Sequence, residues 1–452
     1  MKAACIDAVE TAIGRSLNAG EVRTIEQRVL DAQVALARKD PAAWQAKTKP
    51  ERLAEAATYA ADELRREALK KKQRISLTIQ AHDRIENYTK AQVAAGHDET
   101  RLDALERMLA PQPDGKSNVT PVEYAAKGRM AVAMGQLDAT WEAIKPRMMS
   151  FFANREAEAQ LTRAVHGDTA GIQPEILKAA RAWLDVAGML RDSYVAAGGD
   201  VGRLDNWGMP HSWEPTLLLK RGKDRYVDDM MRWVDRRVYV HEDGQPYTDA
   251  EMREFLGAAW LTSVTDGANK RVRTDTPGGS IKANRHSQSR QLHFRDGAAA
   301  LEALRTYSGR NLFESMVGHV RQMARDTALL EQFGPNADLA VDHFIQRIRE
   351  EEARANPQNA TKFERRARRV ENIYNRLAGN DPPPANEWIA NGFAALRSIM
   401  SAAKLGSAPI TSLADEGTLY LTAHVNNLPP LKVFLNELRA FNPLDRAEHD
   451  MA

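Results

Sequence analysis

Apolar residues recur three and four positions apart along most of the chain, which is the spacing of amphipathic helices. The clearest case begins at Pro50, after which about 45 residues pass without another proline or a glycine, to about Ala95. At about 1.5 Å per residue, this segment predicts a helical rod about 70 Å long. Such a long, thin apolar seam predicts packing against another long helix, from this chain or from a neighbouring copy. The seam consists of Leu53, Ala57, Ala60, Leu64, Ala68, Ile75, Ile79 and Ile85.

Capping residues mark where further helices begin. Thr120-Pro121-Val122-Glu123 combines an N-cap, a proline at the first helical position and an N3 carboxylate. The helix that follows is predicted to run to about Lys145, and one after Pro174 is predicted to stop at Gly198-Gly199. Other helices are predicted to start at Asn18 and Thr248 and to fill most of Gly297 to Gly379. The pattern predicts a mainly α fold of elongated multi-helix bundles with long helices.

A region of different residue composition separates the helical segments. Prolines, glycines and aromatic residues cluster between 201 and 300, and "RRVYVHEDGQPYT" predicts a strand or an extended arm that turns at Asp243-Gly244. "NDPPPANEW", from Asn380, predicts a stiff proline linker. The predicted organisation is an N-terminal long-helix domain (1–117), a helical domain (118–200), a small irregular, β-containing central region with a basic loop (201–300), a helical domain (301–380) and a C-terminal helical segment (381–452).

The last residues of the sequence have a helical pattern and not that of a disordered tail. "FNPLDRAEHDMA" begins a new helix after Pro443 and stops within about its third turn. This pattern predicts that the 452 residues are the N-terminal part of a longer polypeptide.

Composition narrows the class of protein. Of the 452 residues, 43% are hydrophobic, 27% charged and 6% aromatic, which is typical of a soluble helical protein. The 63 basic and 61 acidic residues nearly cancel, so any surface that binds nucleic acid has to be local. Cys5 is the only cysteine, which excludes an intramolecular disulfide and a thiolate metal cluster.

The sequence lacks the common cofactor and metal motifs. "TPGGSIKANR" does not have the spacing of a phosphate-binding loop, and no G-x-G-x-x-G occurs. His241-Glu242 is not followed by a second histidine at helical spacing, which a zinc protease would need. We therefore expect no cofactor, no metal site and no assigned catalytic residue.

Two weak catalytic candidates remain. Glu314-Ser315, with Tyr374-Asn375 downstream, resembles signatures of lytic transglycosylases, in which a glutamate protonates the glycosidic oxygen. The sugar-cleft turn between those signatures is absent here, and the simpler interpretation of Glu314 is an exposed helix carboxylate. His211 and Glu214 have suitable spacing for acid–base chemistry, but they lie in the proline-rich corner "NWGMPHSWEPTLL". The favoured interpretation is a structural corner anchored by its two tryptophans.

A basic cluster lies in the central region. One acid, Asp275, stands among seven basic residues on a loop rich in glycine, serine and asparagine. This local charge suits a phosphate backbone or an acidic face of a partner subunit, and the alternative is an inter-subunit strap with solvated arginines. The basic residues are Lys270, Arg271, Arg273, Lys282, Arg285, Arg290 and Arg295.

No run of about 20 apolar residues occurs in the sequence, which argues against a constitutive transmembrane helix. The least polar tract, Ser398 to Val425, is interrupted by Lys404, Pro409 and Asp415. Conditional contact with a host membrane is one interpretation of this tract, and buried packing of its small residues is the favoured one.

Three segments resemble, in the same order, stretches of the long internal virion or ejection proteins of short-tailed bacteriophages and related prophages. They are "KAACIDAVETAIGRSLNAGEVRTIEQRV", "SRQLHFRDGAAALEALRTYSGRNLFESMVGHVRQMARDTALLEQFGP" and "RSIMSAAKLGSAPITSLADEGTLYLTAH". The resemblance implies a protein carried in the capsid near the portal. Such a protein leaves the particle ahead of the genome and assembles with copies of itself and companion ejection proteins into a conduit across the host envelope. The resemblance also implies contacts with portal or tail components.

The sequence thus predicts a structural, non-enzymatic virion protein that acts in genome delivery. Its expected location is the capsid interior and, after ejection, the host envelope or periplasm. Two alternatives stay open: a peptidoglycan-cleaving, transglycosylase-like virion enzyme, and a helical scaffold that binds nucleic acid, including phage DNA.

Overall fold

The computed structural model describes residues 16, 18–112, 114, 116–144, 155–201, 209–210, 213–265, 283 and 292–379. The chain divides into two compact units, 1–379 and 380–452, and every described residue lies in the first. Within this described part there are fourteen α-helices and no strand. The predicted mainly α fold is confirmed.

The described N-terminal residues form three helices: α1 (Ala19–Lys39), α2 (Pro41–Ala46) and α3 (Lys49–Ala94). The predicted rod is α3, whose 46 residues extend about 69 Å at 1.5 Å per residue. A capping box starts it, because the Glu51 carboxylate accepts a 2.8 Å hydrogen bond from the Thr48 backbone N–H while the Thr48 hydroxyl accepts from the Glu51 N–H.

Between residues 101 and 196, the described ranges contain α4 (Arg101–Leu109), α5 (Val122–Ile144), α6 (Arg155–Val165) and α7 (Pro174–Ala196). The predicted starts of α5 and α7 are confirmed. So is the predicted stop of α7, where Gly198 has a φ of +93°, a conformation that favours glycine.

The central region contains α8 (Pro215–Arg221), α9 (Lys223–Trp233), a 3₁₀ turn (Arg236–Val238) and α10 (Asp249–Val264). The predicted turn is present, with Gly244 at a φ of +86°. The predicted strand is not: in the described part of this region only two isolated antiparallel bridges form, Val240 with Pro246 and Val234 with Phe294. The arm is too short for a ladder, because the 3₁₀ turn precedes it and α10 begins soon after its tip.

The remaining helices are α11 (Gly297–Tyr307), α12 (Leu312–Phe333), α13 (Ala337–Ala355) and α14 (Ala360–Ala378). α11 crosses α6 at Gly297, where an added Cβ would lie 2.5 Å from the Arg163 Cα atom. Because glycine has no side chain, the two helices can approach each other this closely at Gly297.

Four hydrophobic cores hold these helices together. The first joins α5, α6, α7, α11 and α12, and the second joins the C-terminal part of α3 with α4, α12, α13, α14 and the start of α5. The third fills the central region, from α8 to α11. The fourth is small and joins α1, α2 and the first half of α3. Helices on both sides of the sequence-based boundaries at 118, 201 and 301 share a core. Those boundaries therefore mark changes in residue composition and not the limits of separate cores.

None of the described helices has the length and apolarity to cross a membrane. The Ser398 to Val425 tract and the predicted proline linker lie outside the described residues.

Candidate functional site

The Glu314 carboxylate is used at the start of its own helix. Glu314 is the N3 residue of α12, and its carboxylate accepts a 3.0 Å hydrogen bond from the Asn311 backbone N–H. In return, the Asn311 side-chain oxygen accepts a 2.8 Å bond from the Glu314 N–H. This capping box satisfies two backbone donors at the helix start. The arrangement gives Glu314 a structural function.

Glu214 has a similar function at the start of α8. Its carboxylate accepts a 3.4 Å hydrogen bond from the Thr216 N–H, and its own backbone N–H donates to the Tyr307 carbonyl at 2.8 Å. Trp213 packs edge-to-face against Tyr307 and Phe294, with ring centroids 6.4 and 6.5 Å apart. The described part of the corner is therefore anchored as predicted. His211, the other member of the predicted His211–Glu214 pair, lies outside the described residues.

One member of the predicted basic cluster, Arg295, is described. Its guanidinium donates a 2.7 Å hydrogen bond to the Arg232 carbonyl and a 3.2 Å bond to the neighbouring Asp296 carboxylate. Arg295 thereby fastens the chain before α11 to the end of α9. The other six residues, Lys270, Arg271, Arg273, Lys282, Arg285 and Arg290, lie outside the described residues.

The centre of the third core holds a buried carboxylate that the sequence did not indicate. Asp229 is 2% exposed, and the Tyr307 hydroxyl donates to it at 2.8 Å. Arg232 also bonds to this carboxylate, and Arg225 approaches it at 3.5 Å. Burial, followed by the hydrogen bond to Asp229, raises the pKa of Tyr307. The hydroxyl therefore stays protonated and remains a donor.

Ion pairs connect α3, α4 and α13. Arg101 bonds to Glu86 at 2.6 Å and to Glu351 at 2.7 Å, and Arg347 bonds to the same two carboxylates at 3.1 and 2.9 Å. Hydrogen bonds from Lys90 and Arg101 outweigh burial and lower the pKa of Glu86. Residues from three helices contribute to this network, and the linear sequence gives no signal that pairs them.

A histidine pair lies where α3 meets α13. The rings of His82 and His343 stack with centroids 5.9 Å apart, and Phe344 packs edge-on against both. Burial, then the charge of His343, lowers the pKa of His82. Arg347 acts in the same direction and Asp83 in the opposite one.

The outward face of α3 is the described surface best suited to a functional contact. The seam predicted from the sequence divides between two faces of this helix. Ala60 and Ile85 are buried, Leu64 is half-buried, and Leu53, Ala57, Ala68, Ile75 and Ile79 are exposed. Ile75 and Ile79 expose 52% and 57% of their surface, which is costly for isoleucine. The α1–α3 packing uses a neighbouring stripe that includes Ala56 and Ala60.

No group of three or more histidine, cysteine, aspartate and glutamate side chains in the described ranges is arranged to hold a metal ion. Comparison of the chain with protein-family models, with curated proteins and with solved structures found no match.

Proposed function

We propose that this chain is a structural, non-catalytic component of a short-tailed bacteriophage particle. It is carried inside the capsid near the portal and leaves the particle ahead of the genome. Copies of the chain then assemble with companion ejection proteins into a conduit that delivers DNA across the host envelope. The resemblance of three ordered segments to internal virion proteins supports the phage assignment.

The proposed structural role rests on the exposed apolar face of α3. This helix has one apolar face buried in the fold and a second apolar face left in water over much of its length. An exposed apolar stripe on a long helix is typical of proteins that assemble through helix–helix contacts. The described part of the chain therefore offers an assembly surface.

The state of the two described catalytic candidates supports a non-catalytic role. A general acid has to present its carboxyl group to a substrate. The carboxylates of Glu314 and Glu214 instead accept hydrogen bonds at the starts of α12 and α8.

The proposal is tested on the phage whose genome encodes the chain. Purified virions are digested for mass spectrometry and imaged at a resolution that shows the density inside the portal vertex. We expect several copies of the chain in each particle. A nonsense mutation in its reading frame should give DNA-filled particles that adsorb but do not deliver DNA. Absence of the chain from purified virions would refute the proposal.

A separate measurement addresses the peptidoglycan-cleaving alternative. The purified chain and its Glu314→Gln variant are compared by zymography on peptidoglycan. We expect no clearing from either protein, because the Glu314 carboxylate caps α12. Clearing by the wild-type chain that is lost in Glu314→Gln would establish the enzyme instead.

A further inference from the structure

Three arginine side chains gather around Tyr307 and the buried Asp229 carboxylate. Arg221, the last residue of α8, lies over the Tyr307 ring, with its Cζ atom 5.4 Å from the ring centroid. Arg225 and Arg232 lie on α9, four residues before Asp229 and three residues after it. The Asp229 Oδ1 atom pairs with Arg232, while Oδ2 accepts the Tyr307 hydrogen bond and lies 3.5 Å from the Arg225 Nε atom. We call Arg221, Arg225 and Arg232 the arginine cluster.

The arginine cluster faces water, although the carboxylate beneath it does not. The Asp229 side chain is 3% exposed, whereas the side chains of Arg225 and Arg232 are 65% and 62% exposed. Arg221 is exposed as well. Each guanidinium has five N–H donors. Within the described part of the chain these three guanidiniums form one hydrogen bond, from Arg232 to Asp229, so most of their donors remain accessible from solvent.

The arginine cluster has fewer acidic partners than the arginines around it. Each of the other described arginines between residues 215 and 295 has a carboxylate partner of its own. These pairs are Arg236–Asp249 at 2.6 Å, Arg237–Asp235 at 2.9 Å, Arg253–Asp228 at 2.8 Å and Arg295–Asp296 at 3.2 Å. Asp224, the remaining acid of α9, lies about 100° around the helix from Arg225 and pairs with no described residue. Three guanidiniums that share the single Asp229 carboxylate leave a net charge of +2.

The contacts beneath the cluster also hold two of its members in place. Asp229 and the Tyr307 hydroxyl are buried together, and the carboxylate that they fix binds Arg232 and attracts Arg225 from below. Side chains that are ordered before a ligand arrives lose less conformational entropy when it binds. Neighbouring guanidiniums repel each other, so an anion that accepts from their outer N–H groups also offsets the excess charge.

A phosphate group matches this arrangement better than a carboxylate. A phosphate monoester carries nearly two negative charges at neutral pH and three acceptor oxygens that point in different directions. A carboxylate carries one charge, and its two oxygens lie in one plane. The cluster presents planar guanidinium donors from two helices, α8 and α9, and such donors bind phosphate oxygens in pairs.

We propose that the arginine cluster binds a phosphate group, carried either by a small phosphorylated molecule or by a nucleic-acid backbone. Asp229 and Tyr307 position the guanidiniums from inside the third core, and the outer N–H groups of the three arginines contact the phosphate. This site goes beyond the proposed function and does not rest on it.

The first experiment measures binding of pyrophosphate to the full-length chain by isothermal titration calorimetry at low salt. We expect the wild type to bind with a Kd below about 1 mM. Arg225→Gln/Arg232→Gln should bind at least tenfold more weakly. The matched control is Arg236→Gln/Arg253→Gln, which removes two arginines of the same region, 41% and 53% exposed, that have their own acidic partners. This control should bind within twofold of the wild type.

A second variant keeps the test valid if the double substitution weakens the fold. Removing Arg225 and Arg232 leaves the buried Asp229 carboxylate with fewer partners, and that can destabilise the third core. Arg221 contacts the Tyr307 ring and pairs with no described acid, so Arg221→Gln leaves Asp229 as it is. We expect this variant to keep the circular dichroism of the wild type and to bind pyrophosphate at least threefold more weakly.

The source of the phosphate is determined with a DNA duplex of about 20 base pairs. If the site binds a nucleic-acid backbone, the affinity for the duplex should fall steeply with salt. The slope of log K against log salt should be smaller by about 1–2 in Arg225→Gln/Arg232→Gln. If the site binds a small phosphorylated molecule, pyrophosphate should bind while the duplex does not.

Two results would overturn the proposal. One is that the wild type binds neither pyrophosphate nor the duplex at about 50 mM salt. The other is that the folded Arg221→Gln and Arg225→Gln/Arg232→Gln variants bind these probes as tightly as the wild type does, because the phosphate would then be held elsewhere.

Discussion

At the scale of the residue, several charged and polar side chains stabilise the fold through contacts that cannot be predicted from their positions in the sequence. Asp229, Arg101 and Arg347 each find partners on other helices. A buried or half-buried charge is costly unless it is paired and hydrogen-bonded. These contacts therefore make specific side chains sensitive to substitution and to pH.

Tyr307 offers a direct comparison within one core. Tyr307→Phe removes the hydroxyl that donates to buried Asp229, and we expect it to lower the free energy of unfolding by about 1–3 kcal/mol. Tyr226 is fully buried beside it, and its hydroxyl has no hydrogen-bond partner among the described residues. Tyr226→Phe should therefore leave stability within about 0.5 kcal/mol of the wild type or raise it. Urea denaturation of the three proteins measures both values, and equal losses in the two variants would contradict the assignment.

His82 makes part of the stability depend on pH. Because burial and His343 lower the pKa of His82 in the folded chain, the folded state favours the neutral ring. The resulting stabilisation is complete above the unfolded pKa of about 6.5 and is lost progressively as the pH falls below that value. We expect the melting temperature to fall between pH 7.5 and pH 5 more steeply in the wild type than in His82→Gln. Parallel curves for the two proteins would show that the stacked pair contributes nothing.

At the scale of the element, the starts of the helices were the most predictable feature. Thr248 forms a capping box with Glu251 at the helix start predicted there, and Thr48 forms another with Glu51 just before the predicted rod. The same local chemistry explains Glu314, whose partner is Asn311, three residues earlier. A carboxylate at N3 of a helix has a structural explanation before any catalytic one is needed.

The cap at α12 can be tested against a helix start that lacks one. Asn311→Ala removes an acceptor for the Glu314 N–H, and we expect it to lower the free energy of unfolding by about 1 kcal/mol. Asn336 precedes α13 without a capping hydrogen bond from its side chain, so Asn336→Ala should cost less than about 0.5 kcal/mol. Chemical denaturation of the pair measures the difference. A smaller loss for Asn311→Ala than for Asn336→Ala would exclude the capping role.

At the scale of the described unit, a group of contacts around Trp44 joins the N-terminal helices to the turn of the central region. Trp44 of α2 is 2% exposed, and its indole N–H donates to the Glu242 carbonyl at 3.0 Å. Gln45 and Arg52 donate to the next two carbonyls of that turn, at Gly244 and Asp243. The fourth core is otherwise built mainly from alanine, so Trp44 supplies its largest buried side chain.

Loss of this contact should loosen one part of the fold only. We expect Trp44→Ala to cost about 3–5 kcal/mol in the local stability of α1, α2 and the first half of α3. Hydrogen exchange followed by mass spectrometry should show faster exchange in residues 19–60 and unchanged exchange in α12. Trp260 bonds instead to the Leu218 carbonyl, so Trp260→Ala is the control and should affect α8 and α10. Uniformly faster exchange in Trp44→Ala would mean that the N-terminal helices are not a separate cooperative unit.

The sequence by itself determined several of the helices and their ends, because spacing, capping residues and glycine stops act within a few residues of the chain. It predicted the 46-residue α3, the end of α7 at Gly198 and the turn at Gly244. The tertiary structure decided which apolar face of α3 is buried, because that choice depends on where α1, α4 and α12 lie. It also decided the partners of Asp229 and Arg101, since those contacts join residues far apart in the chain. Local chemistry thus specified the elements, and the packing of distant helices decided which of their faces stay exposed.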